Sequence, residues 1–180
     1  MNVDIEKVLI TEEELKKIVE TLSEKINGDY KGEQLLFVPI LKGSIVFASD
    51  LFRKIEGDAF LDFIQCGSYG AGTVSSGKIE IKRDVERSVE GKNVLIVEDV
   101  VDSGNTLHAL TELFEKRNAK SVRICSLLDK PSRRMINVKV DYVGKTIPDE
   151  FVVGYGLDFD GKYRNLPYVG ILKREVYVGK

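Results

Sequence analysis

The sequence predicts an α/β chain built on a mainly parallel sheet flanked by helices. Apolar runs of strand length alternate with segments of helical periodicity, the pattern of strand–helix–strand crossovers. No repeat, low-complexity linker or compositional break divides the chain, so its 180 residues, 43% of them hydrophobic, are expected to form one domain over residues 1–180 around a substantial core.

Taken in order, Thr11-Glu12-Glu13-Glu14 is a capping-box sequence, with Glu14 three residues after Thr11. Leu15, Ile18, Val19, Leu22 and Ile26 then mark one helical face, and Asn27-Gly28 is the expected end of that helix. "QLLFVPI" (34–40) reads as a buried strand, closed by "LKGS" (41–44) before a helical segment up to Ile55. Residues 59–70 start as a strand and run into small residues through Gly77, and "KIEIK" (78–82) alternates as an edge or hairpin strand would. Val94–Val97 is the next buried strand. Leu107, Leu110 and Phe114 form the apolar stripe of the helix after it. Strands are expected again at 121–129, 139–144 and 150–156.

Composition excludes several classes. With 27 basic and 29 acidic residues the net charge is −2, giving no surplus for bulk binding to nucleic acid or an anionic membrane. The opening "MNVDIEKVLI" lacks the apolar core of a signal peptide, and no apolar run approaches the roughly 20 residues that span a bilayer. Cys66 and Cys125 stand far apart with no CxxC, and read as small core residues of strands in a protein of the reducing cytoplasm. His108, the one histidine, is expected to pack or lie on a solvated helix face.

Chemistry is concentrated at 41–44, 98–106 and 129–130. Each directly follows a strand, where parallel sheets place their ligands. "VLIVEDVVDSGNTL" (94–107) carries Glu98, Asp99 and Asp102, then a small hydroxyl-rich turn entering a helix. Such a turn suits an anion, whereas carboxylates repel one. There is no GxGxxG and no Walker A lysine, so a phosphate here would be held by backbone N–H groups, the Ser103 and Thr106 hydroxyls and the helix N-terminus. The acids can accept hydrogen bonds from vicinal hydroxyls or hold a hydrated magnesium ion. A ribose 5-phosphate meets both requirements, one at each end.

With four apolar residues, two acids, two apolar residues and then acid-Ser-Gly-x-Thr, "VLIVEDVVDSGNT" resembles the fingerprint of the type I phosphoribosyltransferases. The Glu-Asp pair, together with "LKGS", "SYG", "LLDK" and "PDEFVVGYGLDFDGKYRNLPYVGIL", resembles the hypoxanthine-guanine branch and extends the likeness to nearly the whole chain. The resemblance implies the type I fold with a small hood built from chain-terminal segments, about 145–180 contributing its C-terminal part. It implies a pentosyltransferase of purine salvage that uses Mg2+ and 5-phosphoribosyl 1-pyrophosphate to convert hypoxanthine or guanine to IMP or GMP, with pyrophosphate released. It also implies a homodimer or homotetramer.

The same resemblance assigns roles. Glu98 and Asp99 would engage the ribose hydroxyls and the metal shell, while Asp102, Ser103, Gly104, Asn105 and Thr106 would cradle the 5′-phosphate. Asn105 stands where some relatives have lysine, which removes a charge but no backbone donor. Asp102 would act at the imidazole nitrogen of the base, either by taking its proton or by stabilising positive charge. Leu41, Lys42, Gly43 and Ser44 would form the pyrophosphate loop, where the family often holds a strained or cis peptide, and Arg164 would add a planar charged fork. Lys130, a donor only, would favour a 6-oxo group over the exocyclic amine of adenine. Phe151 would stack on the base and Val152 would meet its edge through the backbone. Asp158 would lie near the 2-position and hold a second magnesium through water. Ser68 and Tyr69 would belong to a lid that keeps water from an oxocarbenium-like sugar.

Three other readings are weaker. A phosphoribosyltransferase-like nucleotide sensor that binds RNA or DNA is expected to carry a basic face, against the acidic balance here. A pyrimidine enzyme is disfavoured by the Glu98-Asp99 pair and by Lys130 with Phe151. A bare metal- or nucleotide-binding module would not need this set of loops.

Overall fold

The structure is a computed structural model that describes residues 2–67 and 79–178. Its main sheet has the order β5-β4-β2-β6-β7-β8, with β3 also paired to β2. The strands are β2 (Leu35–Leu41), β3 (Ala59–Leu61), β4 (Ile64–Gly67), β5 (Glu80–Arg83), β6 (Asn93–Val101), β7 (Ser121–Asp129) and β8 (Tyr142–Thr146). Pairings among β2, β3, β4, β6, β7 and β8 are parallel, and β5 alone runs antiparallel, against β4. The predicted mainly parallel sheet is therefore present.

Helices cover both faces. On one side lie α1 (Glu12–Asp29) and α2 (Ile45–Phe52). Leu15, Val19, Leu22 and Ile26 of α1 pack with Phe37, Leu95, Val97, Cys125 and Leu127 from the sheet. On the other, α3 (Asn105–Lys116) sets Leu107, Leu110 and Phe114 against Leu36, Val38, Val94, Ile96 and Ile124. Alternate residues of β2 and β6 thus serve opposite cores, which is why both runs are apolar throughout. The capping box at Thr11 forms as expected: Glu14 N–H donates to Thr11 Oγ1 at 3.2 Å and Thr11 N–H to Glu14 Oε2 at 2.8 Å.

A second sheet, order β1-β10-β9, joins the two chain ends: β1 (Ile5–Ile10), β9 (Val152–Val153) and β10 (Val169–Leu172), all antiparallel. A short helix, α4 (Arg174–Tyr177), follows. This is the hood of terminal segments that the resemblance implied.

Several expectations needed correction. Asn27 and Gly28 lie inside α1, which continues to Asp29 because Tyr30 N–H still reaches Ile26 O at 3.0 Å. The segment 59–70 is broken into β3 and β4 around Asp62, whose Oδ2 accepts from Glu86 and Arg87 N–H instead of leaving the chain to pair straight through. The strand expected at 94–97 runs on to Val101 in register with β7. Of the strand expected at 150–156 only Val152–Val153 forms a strand, with Gly154 in an isolated bridge to Leu157. β1 and β10 were not anticipated. Ser68 and Tyr69, the expected lid residues, lie outside the described residues.

Candidate active site

The carboxyl ends of β2, β6 and β7 lie side by side, and the segments 41–44, 102–106 and 129–134 leave the sheet there. Because β6 extends past the acids, Glu98 and Asp99 are adjacent strand residues that border different cavities. Glu98 lines a small pocket of about 100 Å3 with Asp102, Ser103, Gly104 and Thr106 at the head of α3. Asp99 lines a larger cleft of about 460 Å3, shared with Asp102, Lys130, Phe151, Val152 and Asp158. Val100 and Asp102 border both.

The smaller pocket lies at the N-terminus of α3. Gly104 caps α3 in the left-handed region (φ 85°), a conformation glycine adopts freely, and no side chain caps the helix. Asn105 and Thr106 are therefore the first helical residues, where backbone N–H groups lack helical partners. The weak contact of Asn105 N–H to Ser103 Oγ at 3.4 Å is the one side-chain claim on this turn. From below, Met135 and Ile136 N–H hold Ser103 O at 3.0 and 3.1 Å, so the loop is braced.

Glu98 and Asp99 are each half-buried. Close packing against protein atoms and the neighbouring Asp99 charge push the Glu98 carboxyl well above the usual carboxylate range. Burial likewise raises Asp99, opposed by hydrogen bonding from Glu98 and by the more distant Arg164 charge. Gly43 lies against Asp99, where an added Cβ would meet Oδ2 at 1.7 Å. Gly156 in turn abuts Gly43, its Cβ position 2.1 Å from Gly43 O. The two glycines thus let the 41–44 loop pass between strand β6 and the hood. Its Leu41-Lys42 peptide is cis. Lys42 is exposed, whereas Ser44 is buried and its hydroxyl donates to Ile40 O at 2.6 Å, which leaves the backbone as the loop's main offering.

In the larger cleft Lys130 is 7% exposed and its Nζ donates to Glu150 O at 2.8 Å. Among the described residues Asp102 Oδ1 is buried without a hydrogen-bond donor, with Lys130 Nζ at 3.9 Å and Arg133 Nε at 3.7 Å. A ligand N–H would satisfy it. Arg133 also reaches Asp149 at 3.1 Å, and Arg134 bonds Asp102 O at 2.9 Å as well as the Asp129 carboxylate. Phe151 is exposed to the cleft, and Val152 is held in the hood sheet opposite Ile171. Asp158 and Arg164, expected to serve metal and pyrophosphate, are paired with each other at 2.6 Å, and Arg164 also bonds Gly156 O at 2.5 Å.

The structure therefore gathers Glu98, Asp99, Asp102, Ser103, Gly104, Thr106, Lys130, Phe151, Val152 and Asp158 around two adjoining cavities, with 41–44 and Arg164 at the flank through Asp99, Gly43 and Gly156, while the Asn105 side chain lines neither. Sequence reading missed Arg133, Arg134, Asp149 and Tyr177, which also bear on the site. The two arginines immediately after "LLDKPS" were its available signal. His108 is half-exposed, 3.4 Å from Glu112, on the solvated helix face expected for it. Cys125 is buried in β7 and Cys66 half-buried in β4. Among the described residues no three acidic, histidine or cysteine side chains form a metal cluster, and no helix is long and apolar enough to cross a membrane.

Residues 9–160 match the phosphoribosyl transferase domain model, and the chain belongs to that family. Within it, the chain is similar to the hypoxanthine-guanine phosphoribosyltransferase of Bacillus subtilis, with 50% identity over 98% of each chain. It is equally similar, 50% identical, to part of the bifunctional TilS/HprT protein of Listeria innocua; the match takes in 98% of this chain and 27% of that protein's length. A solved hypoxanthine phosphoribosyltransferase of Staphylococcus aureus superimposes with a TM-score of 0.93 at 49% identity, covering 97% of this chain and 95% of that one.

Proposed function

We propose that the protein transfers the 5-phosphoribosyl group from 5-phosphoribosyl 1-pyrophosphate to hypoxanthine or guanine, giving IMP or GMP and pyrophosphate. One observation carries this reading. A phosphate-sized pocket at the head of α3 and a planar-base-sized cleft meet at Asp102, so one nucleotide spans both. The likeness to hypoxanthine-guanine phosphoribosyltransferases over the full chain supports it. No described feature favours the nucleic-acid-binding sensor.

In this reading a ring nitrogen of the base forms its bond to the anomeric carbon as the bond from that carbon to the pyrophosphate oxygen breaks. The first-turn N–H groups of α3, with Ser103 and Thr106, hold the 5′-phosphate. Asp102 Oδ1 receives the imidazole N–H of the base, which aligns the base for attack. The proton then passes to Asp102, or it stays on the base during transfer, its positive charge stabilised by the Asp102 carboxylate, and goes to water afterwards. Lys130 turns its Nζ to the 6-oxo oxygen, and Phe151 supports the ring face. Asp158 lies toward the 2-position. The 41–44 backbone and Arg164 receive pyrophosphate, for which Arg164 exchanges its Asp158 partner for phosphate oxygens.

Magnesium fits this donor set. Glu98 and Asp99 offer hard oxygens side by side, and both resist ionising without a nearby cation to offset them. Glu98 and Asp99 would hold such an ion, with Asp158 contributing through water. Bound Mg2+ would offset the charge of the departing pyrophosphate. By the same resemblance we expect a cytoplasmic homodimer or homotetramer.

The test is an ultraviolet turnover assay with Mg2+ and 5-phosphoribosyl 1-pyrophosphate, offering hypoxanthine, guanine, xanthine, adenine and uracil separately. Turnover of hypoxanthine or guanine with little of adenine is expected. Binding of the sugar pyrophosphate without turnover of any base would point instead to a sensor.

A further inference from the structure

Phe151 is 37% exposed on its cleft side and restrained elsewhere. Its carbonyl accepts from Leu172 N–H at 2.8 Å, and the carbonyl before it accepts from Lys130 Nζ at 2.8 Å. Phe159 meets its ring at 88° with centroids 5.5 Å apart. Tyr177 lies nearly parallel to it, 20° between planes and 4.7 Å between centroids. Tyr177 ends α4, packs with Val176 against the hood core of Ile5, Val153 and Leu172, and also borders the cleft. Among the described residues its hydroxyl makes no hydrogen bond, so the contact is one of rings.

We propose, resting on the reading of the cleft as a 6-oxopurine site, that Tyr177 is a positioning residue for the base. Stacked on Phe151, it fixes that ring as a flat platform, and purine, Phe151 and Tyr177 form successive aromatic layers. A ring left free on an exposed wall loses rotamer freedom when a base settles on it. A ring already held by a stack loses less, and the difference appears as base affinity. Because β10 and α4 carry Tyr177 while the segment after β8 carries Phe151, the platform exists only when the C-terminal end of the hood is docked.

The test compares Tyr177→Phe, Tyr177→Leu and Tyr177→Ala with the parent chain, measuring KM separately for hypoxanthine and for 5-phosphoribosyl 1-pyrophosphate. Tyr177→Phe keeps the ring and is expected within about twofold of the parent. Leu and Ala should raise the hypoxanthine KM by roughly three- to tenfold, the size of one aromatic stacking contact, and leave the sugar pyrophosphate KM unchanged. Tyr177→Leu retains apolar bulk, so it decides the matter if the Ala variant unfolds. A Leu variant with the parent's hypoxanthine KM would overturn the proposal, as would parallel rises in both KM values. If the parent chain itself turns over no oxopurine, the functional reading fails and this inference with it. An active parent with indifferent variants refutes Tyr177 alone.

Discussion

Asp102 is the residue on which the two halves of the site depend. It borders both cavities, its Oδ1 has no hydrogen-bond partner among the described residues, and its neighbours Ser103 and Gly104 form the turn into α3. Asp102→Asn keeps the shape but removes the charge and the proton acceptor. It is expected to lower kcat about 10²–10⁴-fold and leave binding of 5-phosphoribosyl 1-pyrophosphate nearly unchanged. Pre-steady-state binding and turnover on the same variant check this, and unchanged turnover would remove Asp102 from its role. Lys130→Ala should weaken hypoxanthine binding while sparing the sugar pyrophosphate. Equal loss of both would mean that Lys130 serves mainly to hold Glu150 O.

Glu98 yields a prediction of opposite sign for stability and function. Its carboxyl is raised in the folded chain, so the fold binds its proton more tightly than the unfolded chain does. The ionised form therefore costs stability, a cost absent below the unfolded carboxylate range and fully present once pH exceeds the raised folded value. Glu98→Gln should raise the melting temperature of the ligand-free chain at neutral pH, by about 2–4 °C per kcal/mol relieved, while impairing turnover. Magnesium-dependent binding of the sugar pyrophosphate should likewise weaken as pH falls from neutral, because protons compete for the same oxygens. A pH-independent affinity between neutral and mildly acidic conditions would contradict this.

At the scale of elements, the loop 41–44 is shaped by what surrounds it. Gly43 has Asp99 on one side, and Gly156 of the hood abuts its carbonyl. Gly43→Ala must displace the Asp99 carboxylate, so it should sharply reduce turnover while circular dichroism stays that of the parent. An active Gly43→Ala would mean that the loop moves as a unit. The limits of sequence reading are also clearest here. "VLIVEDVVDSGNT" placed the strand, the acids and the turn into α3, because apolar continuity and small residues are local signals. That β6 carries the acids within the strand was hidden, since its end is set by pairing of Val100 and Val101 with Leu128 and Asp129 of β7. β1 was hidden for another reason. Register shifts after Ile5 and Val8 break its alternation, so "IEKVLI" shows no clean period of two.

For the whole molecule, the parallel core sets the loops proposed to hold phosphate, ribose and pyrophosphate, and the hood adds the proposed base platform. The core was legible because its central runs, 35–41 of β2 and 94–97 of β6, are apolar throughout, as burial on both faces requires. The hood was legible only through resemblance, and Tyr177 not at all. Its partner Phe151 is distant in sequence, and a four-residue helix leaves no periodic trace. Hood and core are tied by Tyr155, whose hydroxyl donates to Asp50 of α2 at 2.7 Å, and by the passage of Gly43 against Gly156. A nucleotide that spans both parts should therefore stabilise them together.

The most direct measurement is a crystal structure of the chain with bound IMP. The 5′-phosphate is expected within hydrogen-bond reach of the 103–106 backbone. The base is expected on Phe151, with its 6-oxo group at Lys130 and its imidazole nitrogen beside Asp102. A base lying away from Lys130 and Phe151, or a phosphate held elsewhere than the head of α3, would contradict this reading.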